Sequence, residues 1–498
     1  MSAVSVAEMI EAEKRALANG WTEGDLLELA GDRLGHAIGR FFPTPGTAVG
    51  FLGKGHNAGD TLVALSVLRD TYGWHVGIRT SHTMEDCAPL LRVMAERHGP
   101  FPSWESGSHH GDRRRPLLLL DGLLGSGTRG GIRPPLLDLA DEMNRLRDSA
   151  GARIAAVDLP TGIDPDRGTS HRGAVRADVT FTIGNPKRGL LRSSAVSHVG
   201  ALVLVGVAPL FMEGSDRWSL VTPSRLKFRG DPRAFEFHKG DAGRVSIIAG
   251  SPQYTGAAAL AATGALRAGA GLVTVHTPEA AVHGVTSRCP PEIIVRGYRT
   301  PREAMSTPHD ALVIGCGMGA VAGTDENDLL ECIRSSETPT VVDADGLNLI
   351  ARTESLAILR ENHVITPHPG EFRRLCPDLA DLPREEAVLR FVDRSPATLL
   401  LKGARTLIGN RTSSMCCIGT GTPAMATGGQ GDLLSGVIGA CMDANSPSWK
   451  AAAFGAWLCG RAAEIALWEG DGSEESTTPS DVALRLGPAF RDWRERNR

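Results

Sequence analysis

A glycine-rich loop near the end of the chain, residues 427–432, leads directly into an apolar pattern with helical spacing. Free amides at the start of a helix, together with the helix dipole, favour an anion at that position. An acid in the first turn, Asp432, could accept a proton from a hydroxyl while the amides stabilise a phosphoryl group in transfer. In the alternative interpretation, Asp432 only caps the helix and Gly431 is a turn residue. The loop by itself leaves both interpretations open.

Other polar segments of the C-terminal half follow short apolar runs. The segment 402–406 lies between two such runs and could contact a nucleotide through its backbone and Lys402. Segments 315–319, 343–345 and 366–371 each end a run. Singly they are weak signals, since a Gly-x-Gly-x-Gly pattern is mostly a turn and an isolated His368 is mostly structural. Together, and in this order, they indicate one site.

Three similar segments occur in the N-terminal half, at residues 53–60, 121–127 and 158–164. The first opens a helical pattern, so its amides suit a phosphate. Asn57, Asp121 and Thr161 offer hard oxygen ligands, which suit a cation of low charge density or a calcium-like ion rather than zinc. Taken singly, each segment is better interpreted as an ordinary strand-to-helix turn.

The elements that position these segments are short apolar runs separated by helix-like stretches. The runs span residues 48–53, 76–80, 117–121, 154–158, 179–184, 245–250, 272–277, 311–315, 340–343, 363–366 and 398–402. Helical patterns are clearest at 60–72, 256–268 and 431–443. Such runs predict strands buried on both faces of mainly parallel sheets, in α/β layers. Ligands of such sheets bind beyond the carboxyl ends of the strands.

The length and composition fit large globular domains. The chain has 498 residues, of which 42% are hydrophobic, and its 59 glycines are best interpreted as turns and close backbone approaches. The strand pattern lapses between residues 213 and 240 into proline, arginine and acidic residues. We therefore predict two domains, 1–220 and 221–498, each large enough for a single α/β fold.

The charge balance excludes several classes of partner. A net charge of −4 and an aromatic content of 5% argue against nucleic-acid binding. No apolar run is long enough to span a bilayer, and the acidic N-terminus fits no secretory signal. Nine cysteines without CxxC spacing predict reduced thiols. We expect a cytoplasmic protein without membrane or nucleic-acid partners, and a homo-oligomer.

Seven ordered motifs of the C-terminal half, at 238–251, 256–273, 313–319, 341–348, 365–371, 400–406 and 427–432, resemble the carbohydrate-kinase-like domain of NAD(P)H-hydrate dehydratases. The resemblance covers nearly all of residues 225–498. It implies a ribokinase-like α/β/α fold that uses ADP, or ATP in some relatives, to phosphorylate the S-form of hydrated NADH or NADPH. Phosphate and AMP are then released and the reduced dinucleotide is restored, with Mg²⁺ bridging the phosphates.

Carried onto this sequence, that resemblance implies a role for each matching residue. Asp432 would be the base, and Gly431 would belong to the anion-binding loop. The nucleotide would be held by Lys402, Gly403, Ala404, Arg405 and Thr406, and the hydrate pocket would be lined by Ala258, Gly317 and His368. Cys316, Thr422, Ala424 and Gln430 depart from the usual Pro, Asn, Gly and Thr.

Residues 1–215 resemble the NAD(P)H-hydrate epimerase domain, because the three N-terminal segments are followed by residues 177–191. This implies a Rossmann-like α/β/α sandwich that interconverts the R- and S-hydrates, with Asp158 as the acid/base residue. Asn57, Asp121 and Thr161 would bind K⁺. The substrate phosphates would be surrounded by His56, Asn57, Ala58, Gly59, Asp60, Gly125, Ser126, Gly127, Thr128, Arg129, Gly130 and Gly131.

Substitutions in the first N-terminal segment leave an alternative open. Ala58 and Thr61 stand where the epimerase family has glycine, His56 where it has asparagine, and Thr161 where it has serine. Side chains at Ala58 and Thr61 would obstruct a ligand if backbone has to approach it there. The runner-up hypothesis is therefore a kinase for a vitamin or sugar alcohol that carries a non-catalytic N-terminal binding module.

Overall fold

The computed structural model describes residues 1–105, 116–127, 130–214, 218–321, 323–412, 415–470 and 472–496. The chain folds into two compact units, Met1–Leu220 and Val221–Arg498. Within the described residues, no helix is both long enough and apolar enough to cross a membrane.

The first unit alternates strands and helices. In chain order its elements are α1 (Val6–Ala18), α2 (Glu23–Phe41), β1 (Thr47–Leu52), α3 (His56–Tyr72), β2 (His75–Thr80), α4 (Pro89–His98), β3 (Leu117–Gly122), α5 (Leu136–Ala150), β4 (Arg153–Val157), β5 (Val179–Ile183), α6 (Arg188–Leu191), α7 (Val196–Val199), β6 (Ala201–Val205) and β7 (Trp218–Leu220).

The sheet of the first unit is parallel and has the order β2-β1-β3-β4-β5-β6. Alternate residues of β1 face opposite sides, because successive side chains of a strand point in opposite directions. Val49 and Phe51 pack in one apolar cluster with residues of α5, whereas Leu52 packs in another with residues of α2 and α3. The strand order reverses direction between β1 and β3, which is where a doubly wound sheet opens a crevice for a ligand.

The second unit continues the same alternation. Its elements are α8 (Pro223–Leu226), β8 (Arg244–Ile248), α9 (Thr255–Arg267), β9 (Leu272–Pro278), α10 (Val282–Thr286), β10 (Ile294–Tyr298), β11 (Ala311–Ile314), α11 (Thr324–Ser335), β12 (Thr340–Val342), α12 (Ala344–Arg352), β13 (His363–Ile365), α13 (Pro369–Leu375), α14 (Arg384–Arg394), β14 (Thr398–Leu401), β15 (Leu407–Gly409), β16 (Met415–Cys417), α15 (Gln430–Cys441), α16 (Ser448–Trp468) and α17 (Pro479–Arg496).

Strands β10-β9-β8-β11-β12-β13-β14 of the second unit lie in this order and run parallel, and β15 and β16 extend the sheet antiparallel. The order reverses at β8, whose neighbours are β9 and β11. A ligand crevice is therefore expected beyond the carboxyl ends of β8 and β11.

Helix α15 is held against α9 by a close backbone approach. A Cβ on Gly436 would lie 1.8 Å from the carbonyl oxygen of Ala261, and a Cβ on Gly264 would lie 2.3 Å from that of Leu433. Only glycine fits at either position, because a side chain would clash with backbone. The contact fixes the start of α15, and Asp432 with it, relative to the sheet.

The apolar runs predicted strands in the right places. Each of the predicted strands is present, with its ends displaced by one or two residues, and the three helical patterns correspond to α3, α9 and α15. The runs did not predict helices α1 and α2 or strands β6, β7, β10, β15 and β16. The α/β fold class of both halves is confirmed.

Candidate functional sites

The C-terminal segments predicted to act together meet at one edge of the sheet. Ser251 follows β8, Gly317 follows β11, Asp343 follows β12, His368 follows β13 and Lys402 follows β14. Because these strands are parallel neighbours, their carboxyl ends share one side of the unit. The start of α15 carries Asp432 to the same side, as the contacts described next demonstrate.

A buried carboxylate, Asp343, organises the centre of this C-terminal site. Its Oδ1 accepts a hydrogen bond from Lys402 Nζ at 2.8 Å, and its Oδ2 accepts one from Ser435 Oγ at 2.7 Å. Burial opposes ionisation of Asp343, but Lys402, Ser435 and Thr366 outweigh it and lower the pKa of this carboxyl. Asp343 therefore connects the ammonium of Lys402, which follows β14, to the first turns of α15.

Asp432 lies in the first turn of α15 and has a different environment. Burial, followed by the nearby charge of Asp343, raises the pKa of Asp432 to about 6, although hydrogen bonding to Cys316 and the charge of Lys402 lower it. A carboxylate with a pKa near 6 is ionised at neutral pH and accepts a proton readily. The two neighbouring carboxyls thus have opposite shifts, which suits a structural role for Asp343 and a proton-accepting role for Asp432.

Glycines bring backbone and ammonium together at the start of α15. Gly429 precedes the helix with a φ of 92°, and a Cβ on Gly431 would lie 3.1 Å from Lys402 Nζ. The helix amides and the ammonium therefore surround one small region without an intervening side chain. This arrangement suits a bound phosphate or a phosphoryl group in transfer.

The turn after β11 also depends on glycine. Gly315 has a φ of 121°, and a Cβ there would lie 1.9 Å from the carbonyl oxygen of Asp343. Gly317 and Gly319 have φ values of 62° and 72°. The amide of Gly319 donates to Asp345 Oδ2 at 2.8 Å, which fixes this turn against the start of α12.

The segment after β14 presents backbone rather than a row of side chains. Arg384 donates to the carbonyl oxygens of Lys402 and Ala404 at 3.1 and 3.0 Å and so braces the turn. Gly403 and Ala404 are exposed, whereas the side chain of Arg405 is buried and its φ is 63°. A nucleotide here could contact Lys402 and the backbone of residues 403–406, but it would not meet the Arg405 guanidinium.

Two residues assigned to the hydrate pocket are less accessible than expected. His368 caps α13, because its Nδ1 accepts the amides of Gly370 and Glu371 at 3.0 and 3.4 Å. Ala258 has no exposed surface, and its methyl group lies 3.0 Å from where a Cβ on Gly250 would stand. The structure thus gives His368 a capping role in which its Nε2 also lies 3.4 Å from Glu371 Oε1, and it places Ala258 beneath the turn after β8.

The N-terminal segments surround a cavity of about 520 Å³ at the strand-order reversal of the first unit. Its walls come from residues 54–57 and Asp60, from residues 123–127, and from Asp158 and Lys187. Helices α1 and α2 add an apolar side together with Glu13 and Glu23. Sequence reasoning placed segments 53–60 and 121–127 and Asp158 at this site, but it did not single out Lys187 or either helix. The helix starts are nevertheless marked by capping boxes, Ser5 with Glu8 and Thr22 with Asp25.

Asp158 is paired with a buried lysine that sequence reasoning did not single out. Asp158 follows β4 with a φ of 65°, and its Oδ1 accepts hydrogen bonds from Lys187 Nζ and from the Ile183 amide. Lys187 also donates to the carbonyl oxygen of Ile183 at 2.9 Å. The pair lines the cavity, so a carboxylate in a strained backbone conformation is held at the place where a ligand would bind.

Further carboxyls of this cavity favour their protonated forms. Burial, then the charges of Asp158 and Glu13, raises the pKa of Asp60 well above its usual value, although Lys187 lowers it. Burial also raises the pKa of Glu13, with Lys187 opposing and Asp158 adding to the shift. Carboxyls with raised pKa values therefore lie around the lysine that pairs with Asp158, and perturbed carboxyls of this kind are typical of acid–base sites.

Asn57, Asp121 and Thr161 form one connected network. Thr161 donates through its amide and its hydroxyl to the Asp121 carboxylate, both at 2.7 Å. The hydroxyl of Thr161 accepts the Leu124 amide at 3.1 Å, and Asn57 Nδ2 donates to the Leu124 carbonyl oxygen at 3.2 Å. Burial raises the pKa of Asp121 to about 6 despite these bonds, and within the described residues no lysine or arginine neutralises it. A buried carboxylate among neutral oxygen donors fits a monovalent cation.

The substituted glycine positions lie away from the cavity. Ala58 belongs to an apolar cluster with Leu52 and Leu62. Thr61 has no exposed surface, and its hydroxyl donates to the Asn57 carbonyl oxygen at 2.8 Å and faces Gly122. The expectation that these two side chains obstruct a ligand is therefore wrong, since both point into the core.

The remaining predicted phosphate contacts divide into three groups. Gly125, Ser126 and Gly127 line the cavity with His56, whereas Gly59 packs against Leu27 of α2. Gly130 and Gly131 are exposed, and nothing would meet a Cβ on either. Thr128 and Arg129 lie outside the described residues.

Comparison with known proteins gives one match for each unit. Residues 245–480 match the family described as NAD(P)H-hydrate dehydratase, and residues 23–189 match that described as YjeF-related protein N-terminus. The range 23–189 lies wholly inside the first structural unit and the range 245–480 wholly inside the second.

Similar full-length relatives join the same two parts. The bifunctional NAD(P)H-hydrate repair enzyme of Gloeobacter violaceus is 34% identical over 492 residues, which cover 92% of this chain and 94% of the relative. That of Methanopyrus kandleri is 33% identical over 488 residues, which cover 93% and 92%. A solved ribokinase-like superfamily protein from Enterococcus faecalis shares 24% identity over 56% of this chain and 97% of its own, with a TM-score of 0.49. The resemblances stated from the motifs are confirmed over most of the chain.

Proposed function

The chain belongs to the family of bifunctional NAD(P)H-hydrate repair enzymes, and on that premise we propose which of its residues perform each reaction. It combines an NAD(P)H-hydrate epimerase with an NAD(P)H-hydrate dehydratase. The epimerase interconverts the R- and S-hydrates, and the dehydratase restores the reduced dinucleotide.

In the dehydratase site, the S-hydrate hydroxyl attacks the terminal phosphoryl group of ADP. Asp432 accepts the hydroxyl proton, the new O–P bond forms, and AMP leaves. The C–O bond then breaks with release of phosphate, and a proton leaves the adjacent ring carbon as the double bond of the nicotinamide returns. The Lys402 ammonium and the amides at the start of α15 balance the charge of the phosphoryl group, since both lie beside Gly431.

The carboxylates around Lys402 fit a magnesium ion bound with the nucleotide. Glu371 Oε2 lies 3.8 Å from Lys402 Nζ, and Asp343 Oδ1 lies 2.8 Å from the same Nζ. Mg²⁺ is usually held by one or two carboxylates together with substrate phosphates. Glu371 is the better ligand, because both oxygens of Asp343 accept hydrogen bonds, whereas in Glu371 it is Oε2 that accepts one, from the His368 amide at 2.8 Å. A bound Mg²⁺ would neutralise phosphate charge.

The observation that carries this proposal is the contrast between the two neighbouring carboxyls. The pKa of Asp432 is raised to about 6, whereas the pKa of Asp343 is lowered. The test supplies S-hydrate and ADP and records the return of reduced-nicotinamide absorbance. We expect Asp432→Asn to slow this reaction by about 10²–10⁴-fold, as loss of a general base does. Asp443→Asn, just beyond the other end of α15 and exposed, is the matched control. Unchanged turnover by Asp432→Asn would refute the assignment.

In the epimerase site, we assign the proton transfers to Asp158, held by Lys187. The hydrate hydroxyl sits on a carbon bonded to the ring nitrogen, so protonation allows it to leave as water while the nitrogen lone pair stabilises the resulting cation. Addition of water to the opposite face, with loss of a proton to Asp158, inverts the centre. The glycine-rich segments that line the cavity suit the phosphates of the dinucleotide.

The epimerase assignment is tested in the full chain without ADP, so that no hydrate is consumed. Pure R-hydrate is supplied and the R-to-S ratio is followed by chromatography. Asp158→Asn should slow equilibration by about 10²–10⁴-fold. Asp166→Asn, a nearby acid outside the cavity, serves as the control, and normal equilibration by Asp158→Asn would exclude this role.

We further propose that K⁺ binds at Asn57, Asp121 and Thr161. The support is the buried Asp121 carboxylate, which accepts hydrogen bonds directly from Thr161 and is connected to Asn57 through Thr161 and Leu124. A bound K⁺ would fix this turn beside the cavity and supply positive charge near the substrate phosphates. ADP is the proposed phosphoryl donor, and comparing initial rates with ADP and ATP tests that choice.

A further inference from the structure

A turn at the carboxyl end of β8 joins a buried serine to an exposed tyrosine. The Tyr254 amide donates to the Ser251 carbonyl oxygen at 3.1 Å, and Tyr254 immediately precedes α9. Neither residue has a part in the mechanism described above. Both nevertheless lie on the side of the sheet where Asp432 and Lys402 meet.

The Tyr254 ring lies along the glycine turn that follows β11. A Cβ on Gly317 would stand 3.0 Å from the Cβ and the carbonyl oxygen of Tyr254, and a Cβ on Gly319 would stand 3.9 Å from Cδ2 and Cε2 of the ring. Tyr254 is nevertheless 57% exposed. A large aromatic group at the entrance to the site thus keeps much of its surface available to a ligand.

Ser251 lies beneath this ring with an unused hydroxyl. The residue is 6% exposed, and within the described part of the chain its Oγ has no hydrogen-bond partner. That oxygen is 3.8 Å from where a Cβ on Gly319 would stand. Buried hydroxyls normally have a partner, because leaving one unpaired is costly, and a bound ligand would supply it.

The same glycine turn connects these residues to the reacting end of the site. The Gly319 amide donates a hydrogen bond to Asp345, and the charge of Asp345 contributes to the raised pKa of Asp432. A ligand that touches both Tyr254 and Ser251 therefore has one end near the proposed base. The hydrated nicotinamide ring must occupy that end, since its hydroxyl is the group that reacts.

We propose that Tyr254 and Ser251 bind the hydrated nicotinamide ring of the S-hydrate. Hydration saturates one double bond but leaves a planar enamine conjugated to the carboxamide, and this plane can pack on the Tyr254 ring. The Ser251 hydroxyl bonds to the carboxamide once the ring has entered. The inference rests on the dehydratase function and assigns the substrate contacts of that site.

The decisive measurement is KM for S-hydrate in Tyr254→Ala and Tyr254→Phe. Removing the ring should raise this KM by about 5- to 100-fold, the range found when an aromatic residue that stacks on a base is removed, whereas KM for ADP and kcat change little. Tyr254→Phe should keep a KM near that of the unaltered enzyme. Leu484→Ala, another exposed apolar side chain in the same unit, should have no effect.

A truncated substrate distinguishes the nicotinamide end from the adenine end, since both are planar. The hydrate of the reduced nicotinamide mononucleotide lacks adenine, and Tyr254→Ala should raise its KM by the same factor. An increase with the dinucleotide hydrate alone would assign Tyr254 to adenine and overturn the proposal. An unchanged KM with both substrates would also overturn it.

The hydroxyl is tested by Ser251→Ala, which should raise KM for both hydrates by about 5-fold without changing KM for ADP. Thr222→Val is the matched control, because Thr222 Oγ1 is also buried and unpartnered but lies at the start of α8. Equal KM values in Ser251→Ala and the unaltered enzyme would remove Ser251 from the proposal. A failure of the unaltered enzyme to convert S-hydrate would instead refute the dehydratase function itself.

Discussion

The two sites of this chain occupy equivalent places in two parallel sheets but distribute charge differently. In the second unit, Lys402 bonds to Asp343, whose pKa is lowered, and lies beside the start of α15, where Asp432 has a raised pKa. In the first unit, Lys187 pairs with Asp158 within a cavity whose other carboxyls, Asp60 and Glu13, have raised pKa values. The proposed mechanisms assign stabilisation of a phosphoryl group to the site of the second unit and proton transfer to that of the first.

The difference follows from the two reactions. Phosphoryl transfer develops charge on oxygen atoms, so fixed amides and an ammonium reduce its barrier. Epimerisation leaves the phosphates of the substrate unchanged and needs a proton donor and acceptor at one carbon. A cavity that holds an Asp–Lys pair beside carboxyls with raised pKa values suits that need.

The largest combined effect on stability and activity is expected from separating the charges of the dehydratase site. Asp343→Asn leaves the Lys402 ammonium without its ionised partner, which costs about 3 kcal/mol of stability for a buried pair. Dehydration should fall by about 10²–10³-fold, because Lys402 is no longer fixed beside Gly431. Thermal unfolding and S-hydrate turnover measure the two effects.

Epimerisation by the Asp343→Asn chain provides the comparison. It should continue at the original rate, since Asp343 belongs to the second unit. Asp310→Asn, which breaks the exposed pair with Arg244, is the control and should alter neither activity. Loss of epimerisation in Asp343→Asn would mean that the two sites do not act independently.

The pH dependence of dehydration should report Asp432. With a pKa of about 6, the carboxylate is ionised above that pH and protonated below it, so the rate should fall tenfold per pH unit on the acid side. The hydrogen bond between Cys316 and Asp432 lowers this pKa. Cys316→Ala should therefore move the acid limb to higher pH.

Rates of S-hydrate turnover across pH measure that shift. Cys332→Ala removes another buried thiol, on α11, and should leave the profile unchanged. A profile that is identical in Cys316→Ala and the unaltered enzyme would show that the thiol does not influence the base. The epimerase profile should be insensitive to both changes.

A smaller effect is expected from K⁺ in the first unit. The pKa of Asp121 is raised to about 6, so folding disfavours its ionised form and this contribution to stability is lost as the pH rises through 6. A cation at Asp121 would offset the loss, and it would bind only the ionised carboxylate. K⁺ should therefore raise the unfolding temperature of the first unit more at pH 8 than at pH 5.

Thermal unfolding in K⁺ and in Na⁺ at both pH values tests this expectation. Asp121→Asn should abolish the pH-dependent part of the K⁺ effect, whereas Asp138→Asn, at the start of α5, should preserve it. Equal unfolding temperatures in the two salts at pH 8 would remove K⁺ from the site.

The sequence patterns predicted most of the strands and the polar residues at their ends, but fewer of the contacts between separate elements. The buried runs and their polar ends placed Asp432, Lys402, Asp158 and Asp121 at the correct edges. They did not reveal the pairing of Lys187 with Asp158, because contacts between distant segments depend on the folded geometry. Strands β15 and β16 have three residues each and were missed, although β12 and β13 are equally short and were predicted, because three residues carry no periodicity and leave the assignment to the flanking residues.

The spacing of residues in the sequence also did not predict the direction in which each side chain points. Arg405 follows Lys402 closely in the sequence, yet its guanidinium is buried and only the backbone around it faces a ligand. The same limitation produced the wrong expectation for Ala58 and Thr61. A glycine-rich motif indicates a close approach of backbone, but it does not say whether each glycine meets a ligand or the core.

Restoring a glycine in the first unit should consequently have the smallest effect on activity. Ala58 lies in the first turn of α3 and packs with Leu52 and Leu62, so Ala58→Gly removes a buried methyl group and loosens the helix at a cost of about 1 kcal/mol. The epimerase KM should not change, because no surface of Ala58 reaches the cavity. Ala64→Gly, also buried in α3, is the matched control for stability. A marked gain of epimerase activity in Ala58→Gly alone would mean that the methyl group does obstruct the ligand, and the N-terminal site would then be the impaired partner of the dehydratase.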